Sequence, residues 1–288
     1  MHADSSSSIA TTRPACDAKA TGGQVVFRHR LSTRLWHWTN AVACVILLMS
    51  GLMIFNAHPR LYWGAYGANP DHAWLQIGAT EANTGYLRIG SLTFDTTGVL
   101  GRWTDSNGQL RNRAFPSWAT LPKSYNLAQA RRWHLTFAWV FALGLAAYLL
   151  RSLFNRHLRR DILPMAEEMR PAHIWHDIRQ HARLKFPKGA AARRYNVLQK
   201  LSYLSVLIVL IPGMVLTGMT MSPALNAVFP WLLDLFGGRQ SARSLHFLFA
   251  GGLVLFVLVH LLMVVLAGPV NEIRSMITGR YRLPKEKD

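Results

Sequence analysis

Four windows of this chain, at about 35–55, 133–154, 201–221 and 245–266, are long, continuously apolar and almost free of acidic and basic residues. A bilayer core of about 30 Å takes about 20 helical residues to cross. One such window fits the buried helix of a soluble protein, but four in 288 residues predict an all-α membrane protein, a bundle of four transmembrane helices.

The polar segments between the windows set the organisation. Residues 1–24, "MHADSSSSIATTRPACDAKATGGQ", are small and polar with no apolar core ahead of a cleavage site. They predict a disordered tail rather than a secretory signal, with the first span as an uncleaved anchor. Residues 25–285 then form one transmembrane domain. "VFRHRLSTRLWHWTN" is basic and aromatic, as expected where a helix enters the membrane. Ser32 or Thr33 suits its N-cap, and Trp36 and Trp38 suit the interfacial belt. Residues 58–132 are a long loop rich in Gly, Asn, Asp, Trp and Tyr without an obvious core, in which "GYLRIGSLTFD" reads as two pairing strands. A loop of this length is either a cap over the bundle or a docking surface for a partner. The 151–200 segment is rich in Arg and His and predicts an interfacial helix at 165–183. "LNAVFPWLLDLFGG" suits a segment lying along the opposite interface. No internal repeat is evident.

A net charge of +18 would suit nucleic acid, but its distribution suits a membrane. Lys and Arg number 5 in residues 1–36, 12 in 151–200 and 5 in 268–288, against 8 in 58–132 and 2 in 222–244. By the positive-inside rule, both termini and the 151–200 loop are cytoplasmic and the 58–132 loop lies outside a bacterial inner membrane. The excess also attracts anionic lipid. The two cysteines, Cys16 and Cys44, provide no disulfide framework, no cluster ligation and no covalent c-type haem attachment.

The chemistry is in the histidines. An ionisable group at membrane depth is costly and points to function. His246 and His260 lie in one span, fourteen residues apart. That advances a helix by about 21 Å and leaves the side chains about 40° apart on one face. The topology puts His246 near the outer surface and His260 toward the cytoplasm. His37 opens the first span and so sits beside His260; His134 opens the second from outside and sits beside His246. Zinc favours four ligands, usually with thiolate or carboxylate, and none is near. Haem iron takes two axial ligands, and bis-imidazole ligation suits electron transfer. Gly251 and Gly252, between the two histidines, remove bulk where a porphyrin edge would approach. Gly51, Gly144, Gly213 and Gly218 read first as helix-packing positions. Arg34, Arg132 and Arg243 precede proposed ligands and suit either haem propionates or snorkelling to the interface. His157, His173, His176 and His181 in the 151–200 loop read as a solvated basic face.

"HRLSTRLWHWTNAVACVILLMSGL" and the fourth-span pair resemble the di-haem cytochrome b subunits of formate dehydrogenase, nickel–iron hydrogenase and thiosulfate reductase, in the bacterial cytochrome b561 superfamily. "RYNVLQKLSYLSVLIVLIPGMVLTGMTMSP" and "HPRLYWGAYG" look closest to the thiosulfate-reductase-like branch, and the likeness covers most of residues 25–285. The resemblance implies two b haems: an inner one on His37 and His260, and an outer one on His134 and His246. It also implies a quinone site at the start of the third span. The formate dehydrogenase branch reads Tyr-Asn-Ala-Gly-Gln-Lys there; this chain has Tyr195, Asn196, Val197, Leu198, Gln199 and Lys200. Asn196 and Gln199 match and can hydrogen-bond a quinone, whereas Leu198 replaces the glycine and narrows the approach. The long outer loop is a second departure.

The expected function is that of a membrane-anchoring electron-transfer subunit. It would carry electrons between membrane quinone and a periplasmic oxidoreductase, of the molybdopterin type by resemblance, and would not be an enzyme alone. Two alternatives stay open: a self-sufficient quinol-oxidising member with a small acceptor such as superoxide, and a haem-free transporter whose histidines relay protons.

Overall fold

The computed structural model describes residues 23–155, 169–182 and 197–282. Four helices are long and apolar enough to cross a membrane, over Leu31–Phe55, Leu127–Arg151, Val197–Met221 and Arg239–Ala267. Each starts four to six residues ahead of its apolar window, because polar and basic residues continue the helix before the lipid-compatible stretch begins. Together they make the expected four-span bundle.

The first span is α1 (Leu31–Phe55), preceded by a short strand β1 (Val25–Phe27). Its N-cap position is Arg30, with no side-chain cap, so Ser32 and Thr33 are inside the helix and not at its cap. The cause is tertiary. β1 pairs antiparallel with β8 (Arg280–Arg282) at the other end of the chain. The Arg28 and His29 N–H groups both donate to the Gly279 carbonyl, at 2.8 and 3.3 Å. Closing that two-stranded sheet sets where the chain turns into the helix. An exposed Arg28–Glu272 ion pair at 3.2 Å adds little to it.

α2 (Leu127–Asn155) returns antiparallel against α1. Trp36 lies on Gly144, so closely that a Cβ at that position would stand 1.7 Å from the indole ring. Trp36 is therefore a packing residue between spans rather than part of an interfacial belt. Trp38 stays exposed and donates its indole N–H to the Met276 carbonyl at 3.2 Å.

The third span is built from α4 (Val197–Leu204), a π-helical stretch (Ser205–Leu210) and α5 (Ile211–Met221). Pro212 lacks the N–H that would bond back to Ile208, and the ladder widens just before it, with the Ile211 N–H reaching the Val206 carbonyl. α5 packs on α8 (Arg239–Ala267), where Phe249 lies on Gly213. The bundle thus consists of two helical hairpins, α1 with α2 and the third span with α8. α8 stops at Gly268 (φ 104°), and α9 (Pro269–Thr278) starts at the following proline. Val270, Ile273 and Ile277 are exposed on α9 at spacings of one helical face, which suits a helix lying on a membrane surface. α3 (Pro171–Ala182) falls within the interfacial helix expected at 165–183.

The 58–132 loop shares a core with the ends of α1 and α8, contrary to expectation. Strands β2 (Arg60–Leu61), β3 (Leu75–Ala79), β4 (Gly85–Ile89) and β5 (Leu92–Asp95) form an antiparallel meander. The β4–β5 hairpin is the pair read from "GYLRIGSLTFD", with Leu87 opposite Phe94. β6 (Arg102–Thr104) and β7 (Leu110–Asn112) form a second hairpin. Leu61, Leu75, Ile77 and Ala114 bury against Phe55 at the end of α1, and Phe247 of α8 packs onto the same cluster. Alternation too short for sequence patterning to reveal becomes a core once the helix ends supply its floor. Two short helices, α6 (Pro223–Val228) and α7 (Trp231–Leu235), fill the expected interfacial segment between α5 and α8.

This β-domain is stapled to the first turns of α8. Ser241 Oγ accepts the Gly64 N–H at 2.7 Å. Ser244 Oγ donates to the Tyr62 carbonyl at 2.6 Å and accepts the Trp74 indole N–H at 2.9 Å. Arg243 donates to the Arg60 and His58 carbonyls at 3.0 and 2.5 Å. At the end of α1, Asn56 exchanges two hydrogen bonds with the Phe115 backbone.

Candidate functional site

α8 carries His246 near its start and His260 toward its end, and each meets a histidine from the other hairpin. His260 faces His37 of α1, with ring centres 6.3 Å apart and planes at 56°. His246 faces His134 of α2, again at 6.3 Å and at 58°. The first pair lies at the bundle end that bears the β1–β8 sheet, the second at the end that bears the β-domain. Two pairs with the same separation and tilt stand at two heights along one helix. Among the described residues no three His, Cys, Asp or Glu side chains converge on one point, so each pair offers two nitrogens and nothing more.

The rings are oriented by their surroundings. His134 Nδ1 lies 3.0 Å from Ser50 Oγ, and His246 Nδ1 lies 3.0 Å from Thr217 Oγ1. Both hydroxyls are fully buried. The edge of His134 rests over Gly51 and that of His246 over Gly218, where a Cβ would come within 3.3 and 3.5 Å of the respective Cε1 atoms. Gly51 and Gly218 therefore make room for imidazoles, whereas Gly144 and Gly213 serve helix packing as expected. Gly252 packs against Leu210, and Gly251 opens on space with no protein atom within 4 Å. At the other end, His260 stacks on Phe256 (6.2 Å, 13°) and His37 meets Trp38 edge-on (5.2 Å, 89°). His37 Nδ1 is buried without a hydrogen-bond partner.

The other expected site residues are placed unevenly. Arg34 donates to the Ile277 carbonyl while its Nε is buried without a partner. Arg243 uses two donors on the β-domain and lies over the Phe55 ring at 5.6 Å. Arg132 is exposed on α2, two residues before His134. Gln199 and the largely buried Lys200 lie on α4, while Asn196 and His157 fall outside the described residues. His176 is exposed, in keeping with a solvated face. Sequence patterning does not single out Ser50 and Thr217. Their one sequence signal is a hydroxyl residue followed by glycine at the same depth in the first and third spans.

The family model for prokaryotic cytochrome b561 matches residues 28–279. The chain belongs to the prokaryotic cytochrome b561 family. It is similar to a putative protein-methionine-sulfoxide reductase subunit, YedZ1, of Azospira oryzae, at 27% identity over 85% of this chain and 93% of the relative. It is also similar to a probable Ni/Fe-hydrogenase B-type cytochrome subunit of Cupriavidus necator, at 21% identity over 99% of this chain and 98% of the relative. No solved structure matches the chain.

A cytochrome b561 is an integral membrane electron-transfer protein carrying haem b, which sets aside the haem-free proton relay. The histidine geometry can be tested against that cofactor. An imidazole nitrogen bonds a transition metal at about 2.0 Å and stands about 1.1 Å from its own ring centre, so two imidazoles on opposite sides of one ion have centres about 6.2 Å apart. Both pairs stand at 6.3 Å. In the His134–His246 pair the Nδ1 atoms are taken up by hydroxyls, which leaves Nε2 for the metal. The residues fit the group.

Proposed function

We propose that this cytochrome holds two b haems, one between His37 and His260 and one between His134 and His246. Its role is then to pass electrons across the membrane between quinone and a soluble redox partner. The observation that carries this reading is the pair of histidine couples at equal spacing on one helix. Held by His37 with His260 and by His134 with His246, the haems would supply one-electron transfer rather than substrate chemistry. The chain's contribution is to fix two imidazole pairs at two depths, in apolar surroundings, on helices held rigid by the hairpin packing.

The distribution of Lys and Arg supports cytoplasmic termini, with the His37–His260 pair in the inner leaflet and the β-domain in the periplasm. Quinone then binds near the inner pair, at the start of the third span, with Asn196 and Gln199 as hydrogen-bond partners. Both relatives are described as subunits of redox enzymes, which supports a periplasmic oxidoreductase as partner; the resemblance points to the molybdopterin class. The β-domain, packed on the ends of α1 and α8 and stapled to α8 just ahead of His246, supplies the docking platform. That counts against the self-sufficient quinol oxidase, which has no use for such a surface.

Pyridine-haemochrome analysis of the purified, membrane-inserted chain tests the reading. Two haem b per chain are expected, with His246→Ala and His260→Ala each retaining one. A wild-type stoichiometry of one or none, or a histidine variant that keeps both, overturns it. Co-purification with a periplasmic redox subunit supports the partner; quinol turnover by the isolated chain favours the self-sufficient alternative.

A further inference from the structure

Resting on the reading of His134 and His246 as the two ligands of the outer haem, we propose that Ser50 and Thr217 are positioning residues for that haem. They lock both imidazoles in one tautomer and hold the iron at a lower potential than it would have without them.

Each hydroxyl has one proton, and the short contact to a carbonyl that can only accept assigns it. Ser50 Oγ donates to the Ile46 carbonyl, four residues back, at 2.6 Å, with Leu47 at 3.2 Å. Thr217 Oγ1 donates to the Gly213 carbonyl at 2.6 Å, with Met214 at 3.3 Å. With that proton spent on its own helix, each oxygen can only accept from the ring at 3.0 Å, so His134 and His246 must both donate through Nδ1–H. Their Nε2 atoms then carry the lone pairs. Neither ring is held by its own helix. α1 holds the ligand of α2, and α5 holds the ligand of α8, so the two hairpins repeat one device: a back-bonded hydroxyl, then a glycine against the ring edge.

An imidazole that donates Nδ1–H to a fixed acceptor is a stronger donor at Nε2, and stronger axial donation favours ferric iron and lowers the potential. Both ligands of the outer pair receive this support. At the inner pair His37 Nδ1 is buried without a hydrogen-bond partner among the described residues, so the device is not repeated at that histidine.

Redox titration and low-temperature EPR of the full-length protein, with haem content measured on the same samples, test the proposal. Ser50→Ala and Thr217→Val are each expected to raise the potential of one haem and move its EPR g-values. The double variant should go further, with the second haem unmoved. Thr217→Ser should resemble wild type. Thr220 is equally buried and spends its hydroxyl proton on the Thr217 carbonyl at 2.7 Å, so Thr220→Val should leave both potentials in place. Unchanged potentials in both deletions with two haems bound, or an equal shift in Thr220→Val, overturn the proposal. If Thr217→Val expels the outer haem, retention of two haems by Thr217→Ser supports the role, and its loss there too overturns it. A wild-type chain without haem sinks the ligand reading instead, so the two failures are distinct.

Discussion

His134 shows how narrow the tolerance is around one proposed ligand. Its ring is fixed by a hydroxyl at 3.0 Å on one side and by the absence of a Cβ on the next residue of the same helix. A single methyl at Gly51 would stand 3.3 Å from Cε1, a contact that small shifts can absorb. A branched side chain cannot be absorbed in that way. Gly51→Val is therefore expected to push the ring off its position, at an overpacking cost of about 1–3 kcal/mol. Haem stoichiometry should fall toward one per chain in Gly51→Val while Gly51→Ala stays near two. Equal haem content in both would show that the ring does not rest on this glycine.

Among the elements, the α1–α2 hairpin depends on one knob and one hole. Trp36 occupies the space that a side chain at Gly144 would need, so Gly144→Leu must drive the two helices apart or expel the indole. About 1–3 kcal/mol of destabilisation is expected, read as a lowered melting temperature in detergent. The four spans are legible in the hydropathy pattern because lipid imposes a length and an apolarity that a window reads directly. The closure of β1 on β8, the amphipathic α9 and the widened turn at Ser205–Leu210 are not. Strands of three residues carry too little pattern, and a π turn arises from a ladder displaced by one proline.

For the molecule as a whole, the junction between bundle and β-domain ties that domain to the helix that bears His246. Arg243 is central to it. Arg243→Met removes two charge-assisted hydrogen bonds, each worth about 1.5–3 kcal/mol, and should make the 60–115 region sensitive to limited proteolysis while the spans stay intact. Unchanged cleavage kinetics would show that Ser241, Ser244 and Asn56 hold the junction without it. His58 adds a pH dependence at the same place. Burial, then the neighbouring Arg243 and Arg60 guanidiniums, lower its pKa below the usual histidine value. The unfolded chain therefore binds this proton more readily than the folded one. The contribution of His58 is full above the unfolded value of 6.5 and is lost as pH falls through and below it. From pH 7 to pH 5 the protection factors of β2 and β3 amides should fall, their exchange slowing less than the intrinsic base-catalysed rate does, and His58→Gln should flatten that loss.

Sequence alone determined the number of spans, the four histidines and, through the two-level topology, which of them meet. Those properties follow from lipid, which tolerates only long apolar helices and makes every buried imidazole conspicuous. Only the tertiary structure decided what orients the imidazoles and what the long loop is. A serine or threonine in an apolar helix can always satisfy its own proton by bonding back one turn, so Ser50 and Thr217 look self-contained in the sequence. Their second role exists only because another helix brings a ring to the remaining lone pair, and the β-domain has a core only because the ends of α1 and α8 supply its floor.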